Sequence, residues 1–155
     1  MSKRVWVIFG VSAGVLLVAG ATGGGIWWHS RANQSQLAGY TKSVPLALVE
    51  PSRNFVLMNV EPQADLFSAS YELGGGKSVS ITQQPKPTSK DLLEKATPTD
   101  SYMTNIGQAQ LFPNDRKDPW VLVETPTTWV IITPLNNDTD SRDLKVVALS
   151  LHQVK

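Results

Sequence analysis

Cysteine is absent from the chain, so no disulfide, thiolate metal site or lipid-modified thiol takes part in its architecture. Stability must come from packing. Histidine is scarce as well. His29 and His152 are the only two, and neither stands in the spacing of a catalytic triad or a metal site. His152 reads as an ordinary helix-end residue, where an imidazolium suits the negative pole of the dipole. Charged residues make up only 17% of the sequence and no long run of one sign occurs. Nucleic-acid binders concentrate Lys and Arg on one face, so no nucleic acid is expected as a partner.

Charge is missing altogether from Val5 to Trp28. As a helix this stretch is long enough to cross the hydrocarbon core of a bilayer. Lys3 and Arg4 flank its short N-terminal side and favour a cytoplasmic N-terminus, which puts everything after Trp28 outside the cell. Trp6 at one end, and Trp27 with Trp28 at the other, suit the two interfaces. Gly10, Gly14, Leu17, Ala21, Gly24 and Gly25 fall along one helical face, and Gly10–Gly14 and Gly20–Gly24 each make a small-xxx-small step, a surface that would permit a homodimer through the membrane helix. The competing expectation is a signal peptide cleaved near Ala21, releasing a secreted domain. Against it, apolar character resumes at Ile26-Trp27-Trp28 beyond that site.

Beyond the membrane the organisation reads as a flexible polar stalk, 29–43, and one extracytoplasmic domain, 44–155. Eleven Lys and Arg from Lys42 onward face all thirteen acidic residues, so the domain is close to neutral. Phe55–Val60 reads as a strand, and Phe67–Glu72 and Lys77–Thr82 flank Gly74-Gly75-Gly76 as a hairpin. Lys90–Lys95 reads as a short helix, and one weaker strand is expected between Tyr102 and Phe112. Trp120–Glu124 and Thr128–Thr133 form a second hairpin, and Leu144, Val147, Ala148 and Leu151 mark the apolar stripe of a C-terminal helix. The expected fold class is α+β: an N-terminal transmembrane helix, then an antiparallel sheet of about five strands, with the short helix and the C-terminal helix packed on it.

Local motifs point away from catalysis. Gly74–Ser78 ends like a P-loop, but the first glycine of that motif would fall at Tyr71 and the following segment reads as a strand. Asp138, Asp140 and Asp143 offer oxygen ligands, and Asp138 with Asp140 are candidate metal residues. Arg142 interrupts the EF-hand pattern and neither turn glycine nor distal glutamate follows, so a helix N-cap accounts for them instead. Asn137-Asp138-Thr139 has the form of a glycosylation acceptor, relevant only in a eukaryotic secretory pathway. Carboxylates such as Glu61 and Asp65 supply the alternative, a small envelope hydrolase using an acid/base pair. Gln83 and Gln84, at a strand end beside Pro85, are candidate ligand-binding residues. No cofactor is implied.

Ser80-Ile-Thr-Gln-Gln-Pro-Lys-Pro87, Gly107, Thr128-Trp-Val-Ile-Ile-Thr-Pro134 and Asp143–Leu151 together resemble an uncharacterised bacterial extracytoplasmic domain. That domain is found in single-pass membrane proteins, sometimes attached to anti-sigma-factor-like modules. The resemblance spans Phe55 to Leu151 and brings no catalytic residues with it. Only Met1–Arg4 precede the apolar segment here, too few to hold a cytoplasmic transcription factor. The expectation is a non-enzymatic binding or assembly module of the cell envelope, with the bilayer and a membrane or envelope protein as partners.

Overall fold

The computed structural model describes residues 35–88, 96–113 and 118–155. Gln34–Lys155 forms one unit. Its frame is a seven-stranded antiparallel sheet of strands β2 (Val56–Pro62), β3 (Phe67–Gly74), β4 (Lys77–Pro85), β5 (Asp100–Met103), β6 (Gln108–Phe112), β7 (Trp120–Glu124) and β8 (Thr128–Pro134). They lie in the order β2-β3-β4-β8-β7-β6-β5. A separate two-stranded ribbon pairs β1 (Val49–Glu50) with β9 (His152–Gln153). Helix α1 (Ser141–Ser150) is the one α-helix among the described residues.

The hairpins follow from pattern and turn chemistry. Along β3 and β4, Phe67, Ala69, Tyr71, Val79 and Ile81 are buried, while the serines and threonine between them stay half-exposed, as a period of two requires. Gly74 pairs with Lys77, leaving Gly75 and Gly76 at the bend with φ of 64° and 78°. A two-residue hairpin turn of type I′ needs both central residues in that left-handed region, which glycine enters without steric cost. In β7 and β8 the alternation disappears, because Val121, Leu122, Val123, Trp129 and Val130 are all buried. Both faces of the sheet are covered there, and strands covered on both faces read as continuous apolar runs.

One face carries the main core. α1 packs across β6, β7 and β8 through Leu144, Val147 and Ala148. Asp140 caps its start by accepting from the Arg142 and Asp143 backbone N–H groups, and Asp143 returns the bond to the Asp140 N–H, closing a capping box. Over β3 and β4 the same face is covered by the N-terminal arm, whose Leu37, Val44, Leu48 and Val49 are buried in the same cluster. A smaller cluster on the opposite face joins Phe112, Leu122 and Trp129, with Trp120 stacked on Phe112 at 4.3 Å.

Several expectations are corrected. Among the described residues the fold is mostly antiparallel β in two sheets with one C-terminal helix, in place of the expected α+β class. No described helix is long and apolar enough to cross a membrane. The segment 5–28 lies outside the described residues, as does Lys90–Lys95, where the short helix was expected. The sheet has seven strands because the segment expected as one weak strand is the β5–β6 hairpin, reversing at Thr104–Gly107 where Thr104 N–H donates to the Gly107 carbonyl at 2.9 Å. The ribbon was unforeseen, since two residues per strand carry no readable period. Within the stretch expected as a stalk, residues 35–43 fold onto the sheet. Leu37 is fully buried, Ala38–Tyr40 form a 3-10 turn, and Tyr40 meets Phe67 edge-on at 5.9 Å.

Candidate functional site

The side-chain amide of Gln83 is bonded within the fold. The residue is 0% exposed, its Nε2 donates to the Val49 carbonyl at 2.8 Å, and its Oε1 accepts from the Val49 N–H at 2.8 Å. The amide thus acts as a surrogate strand partner, holding β1 against the sheet. Its burial removes it from the ligand-contact role expected from the sequence. A glutamine in β2's neighbourhood works alike: Gln36 donates to the Phe55 carbonyl and accepts from the Leu57 N–H, covering the outer edge of that strand. Gln84 lies on the opposite face from Gln83, half-exposed and in register with Trp129.

The aspartates are similarly occupied. Asp140 is the helix cap, and Asp143 is bonded to Lys77 at 2.9 Å, tying the glycine turn to α1. Partial burial pushes the Asp143 carboxyl up, but the bonds from Lys77 and the Asp140 N–H, with the Lys77 charge, outweigh that and hold it below its ordinary value. The Lys77 ammonium is raised chiefly by its bond to Asp143, and the Asp140 and Asp138 charges add to this. Asp138 is exposed. Among the described residues no group of three His, Asp or Glu is placed to hold a metal ion. Glu61 and Asp65 are both exposed, and Glu61 accepts from Asn59 Nδ2 at 3.0 Å. Gly10, Gly14, Ala21 and Gly24 lie outside the described residues.

Two features went unforeseen. The first is Glu50, only 2% exposed, whose carboxylate accepts from the Leu37 N–H at 3.1 Å and faces His152 Nε2 at 3.3 Å. His152 therefore belongs to the ribbon and lies beyond the end of α1. Burial, reinforced by the Glu50 charge, raises the Tyr71 phenol well above its ordinary value, and its hydroxyl has no partner among the described residues. These groups close the ribbon onto the core.

The second is a polar floor on the sheet face opposite α1. The strand register carries side chains across it in rows: Glu61, Ser68, Thr82 and Ile131 in one, Asn59, Ser70, Ser80 and Thr133 in the next, then Val56, Glu72 and Ser78. Ser68, Ser70, Ser78, Ser80 and Thr82 are all half-exposed, and neither hydrophobic cluster extends onto them. Ser68 Oγ is 3.2 Å from Ser80 Oγ and 3.3 Å from Thr82 Oγ1. Short side chains on β3 and β4 thus form a shallow strip between the longer Asn59 and Glu61 of β2 and the apolar Ile131 and Trp129 of β8. Individually these residues look like the polar phase of two strands. Only the register, which aligns five hydroxyls, reveals the strip.

Charge on this face is lopsided. At one end Lys86 is ion-paired with Glu124. On the β2–β3 side Glu61 and Glu72 are exposed, and among the described residues no salt bridge reaches either. Comparison with protein families, with curated proteins and with solved structures finds no match.

Proposed function

We propose that the chain is a binding or assembly module of the bacterial cell envelope, tethered to the membrane by its apolar N-terminal stretch and presenting its sheet outside the cell. The observation that carries the reading is the hydroxyl strip: five Ser and Thr side chains aligned across β3 and β4, outside both packed clusters. Such a surface offers hydrogen bonds without a nucleophile activated by a neighbouring base. The tether rests on the charge-free run from Val5 to Trp28 and on Lys3 and Arg4 before it. The likeness of Phe55–Leu151 to the bacterial extracytoplasmic domain implies the same placement. The hydrolase alternative draws less support, since Glu61 and Asp65 are both exposed, and the buried Glu50 is bonded to the Leu37 N–H and faces His152.

The test is site-specific photocrosslinking of the full chain in its native membrane. A crosslinker at Ser70 or Ser80 should yield a discrete adduct with an envelope component, while one at Val146, exposed on the far side of α1, should not. Equal labelling from both positions, or none from the strip, would remove the reading.

A further inference from the structure

We propose that the hydroxyl strip receives an extended, cationic peptide segment of a partner protein, laid along β3 and β4 with basic side chains four residues apart. The inference rests on the binding-module reading and narrows it to one class of occupant. Three features of the face select that class. Ser68 and Glu72 are four residues apart on one face of β3, and Glu61 stands directly across from Ser68. The carboxylates of Glu61 and Glu72 therefore bracket the strip at its two ends, separated along the strand by about 13 Å. In an extended chain running parallel to the strands, residues i and i+4 project to the same side at that same spacing, so two Lys or Arg can meet both carboxylates.

Between those ends the peptide's i+2 side chain falls over the row of Asn59, Ser70 and Ser80, which can accept and donate hydrogen bonds. The short floor side chains let a backbone approach closely. The sign of the partner's charge follows from complementarity. Among the described residues no salt bridge is formed by either carboxylate, whereas Lys86 on the same face is already neutralised by Glu124. An acidic segment would be repelled, and a neutral one would leave the carboxylates unmatched.

The test uses the full chain in detergent micelles and a fluorescein-labelled heptapeptide Gly-Lys-Ala-Ser-Ala-Lys-Gly, with binding read by fluorescence anisotropy. A second peptide places its lysines at i and i+3, which in an extended chain project to opposite sides. The first should bind about tenfold more tightly than the second, and the Glu61→Gln/Glu72→Gln pair should weaken it by about tenfold or more. Ser80→Lys should abolish it. Both glutamates are exposed, so the Glu61→Gln/Glu72→Gln pair should keep the thermal midpoint of the parent chain. Equal affinity for the two peptides, unchanged binding in the glutamine pair, or no binding of the first peptide would overturn the proposal. So would preferential binding of a glucosamine oligomer. If peptide binding fails while Ser80 still crosslinks to an envelope component, the peptide inference falls and the binding-module reading stands.

Discussion

At the scale of single residues the fold depends on side chains whose work is invisible in their identity. Gln83 looks like a surface glutamine at a strand end, yet it supplies both hydrogen bonds to the Val49 backbone in a fully buried place. Gln83→Ala would orphan a buried N–H and a buried carbonyl, and should cost about 2–4 kcal/mol, read from the denaturant midpoint. Gln83→Glu should be similarly harmful, because a carboxylate can accept from the Val49 N–H but cannot donate to its carbonyl. Gly107 is constrained differently: a Cβ there would lie 2.1 Å from the Glu124 carbonyl oxygen, backbone that cannot swing aside. Gly107→Ala should therefore part β6 from β7 and cost about 2 kcal/mol or more in the same measurement. The sequence shows a glycine and a glutamine but not the neighbour that fixes each, because that neighbour comes from a distant segment.

Between elements, ion pairs fasten the helix to the sheet at both ends of the long hairpin arrangement. Lys77 in the glycine turn holds Asp143 of α1, and Lys145 of α1 holds Asp100 of β5 at 2.8 Å while lying 4.6 Å from the Tyr102 ring centre. The bond from Lys145 holds the Asp100 carboxyl below its ordinary value, as the Lys77 side chain helps to do for Asp143. For both aspartates the stabilisation is fully present above the ordinary carboxyl value of 3.8 and is lost as pH falls through the lower folded value. A thermal-midpoint series across acid pH should show that fall, and Asp143→Asn should flatten it while lowering the midpoint near neutrality. At the alkaline end, burial pushes the Tyr102 phenol up to about 12, with the Asp100 charge adding to it. Elements were legible where a period of two ran along the strand, as in β3 and β4, where a continuous apolar run did, as in β7 and β8, or where a stripe repeated, as in α1. They were not legible in β9, nor at β5–β6, where a reversal at Thr104–Gly107 splits a stretch with weak alternation.

For the whole molecule, the ribbon joins the two ends of the described chain. β1 pairs Val49 with Gln153 and Glu50 with His152, and Val154 N–H donates to the Leu48 carbonyl at 2.9 Å. Removal of residues 152–155 would strip β1 of its partner and leave the buried Glu50 without His152, at a cost of about 2–4 kcal/mol. It should also loosen the arm, which Tyr40 and Val44 pack down on either side of the exposed Lys42, and so speed tryptic cleavage after Lys42 relative to the intact protein. The arm itself was read as a stalk because Leu37 and Tyr40 are isolated in polar sequence, and two anchors make no pattern. The polar strip was half legible. The alternation placed Ser78 and Ser80 on the outer phase of a strand, but the strands' order and alignment depend on contacts spread over the chain. The ribbon also imposes a timetable. A chain emerging from the ribosome or across a membrane N-terminus first must release Gln153 before β1 finds β9, so the ribbon cannot lock the arm over β3 and β4 until the whole seven-stranded sheet and α1 have emerged. Until that moment the inner face of the first hairpin waits uncovered, and a chaperone that shields it needs to act only over that interval.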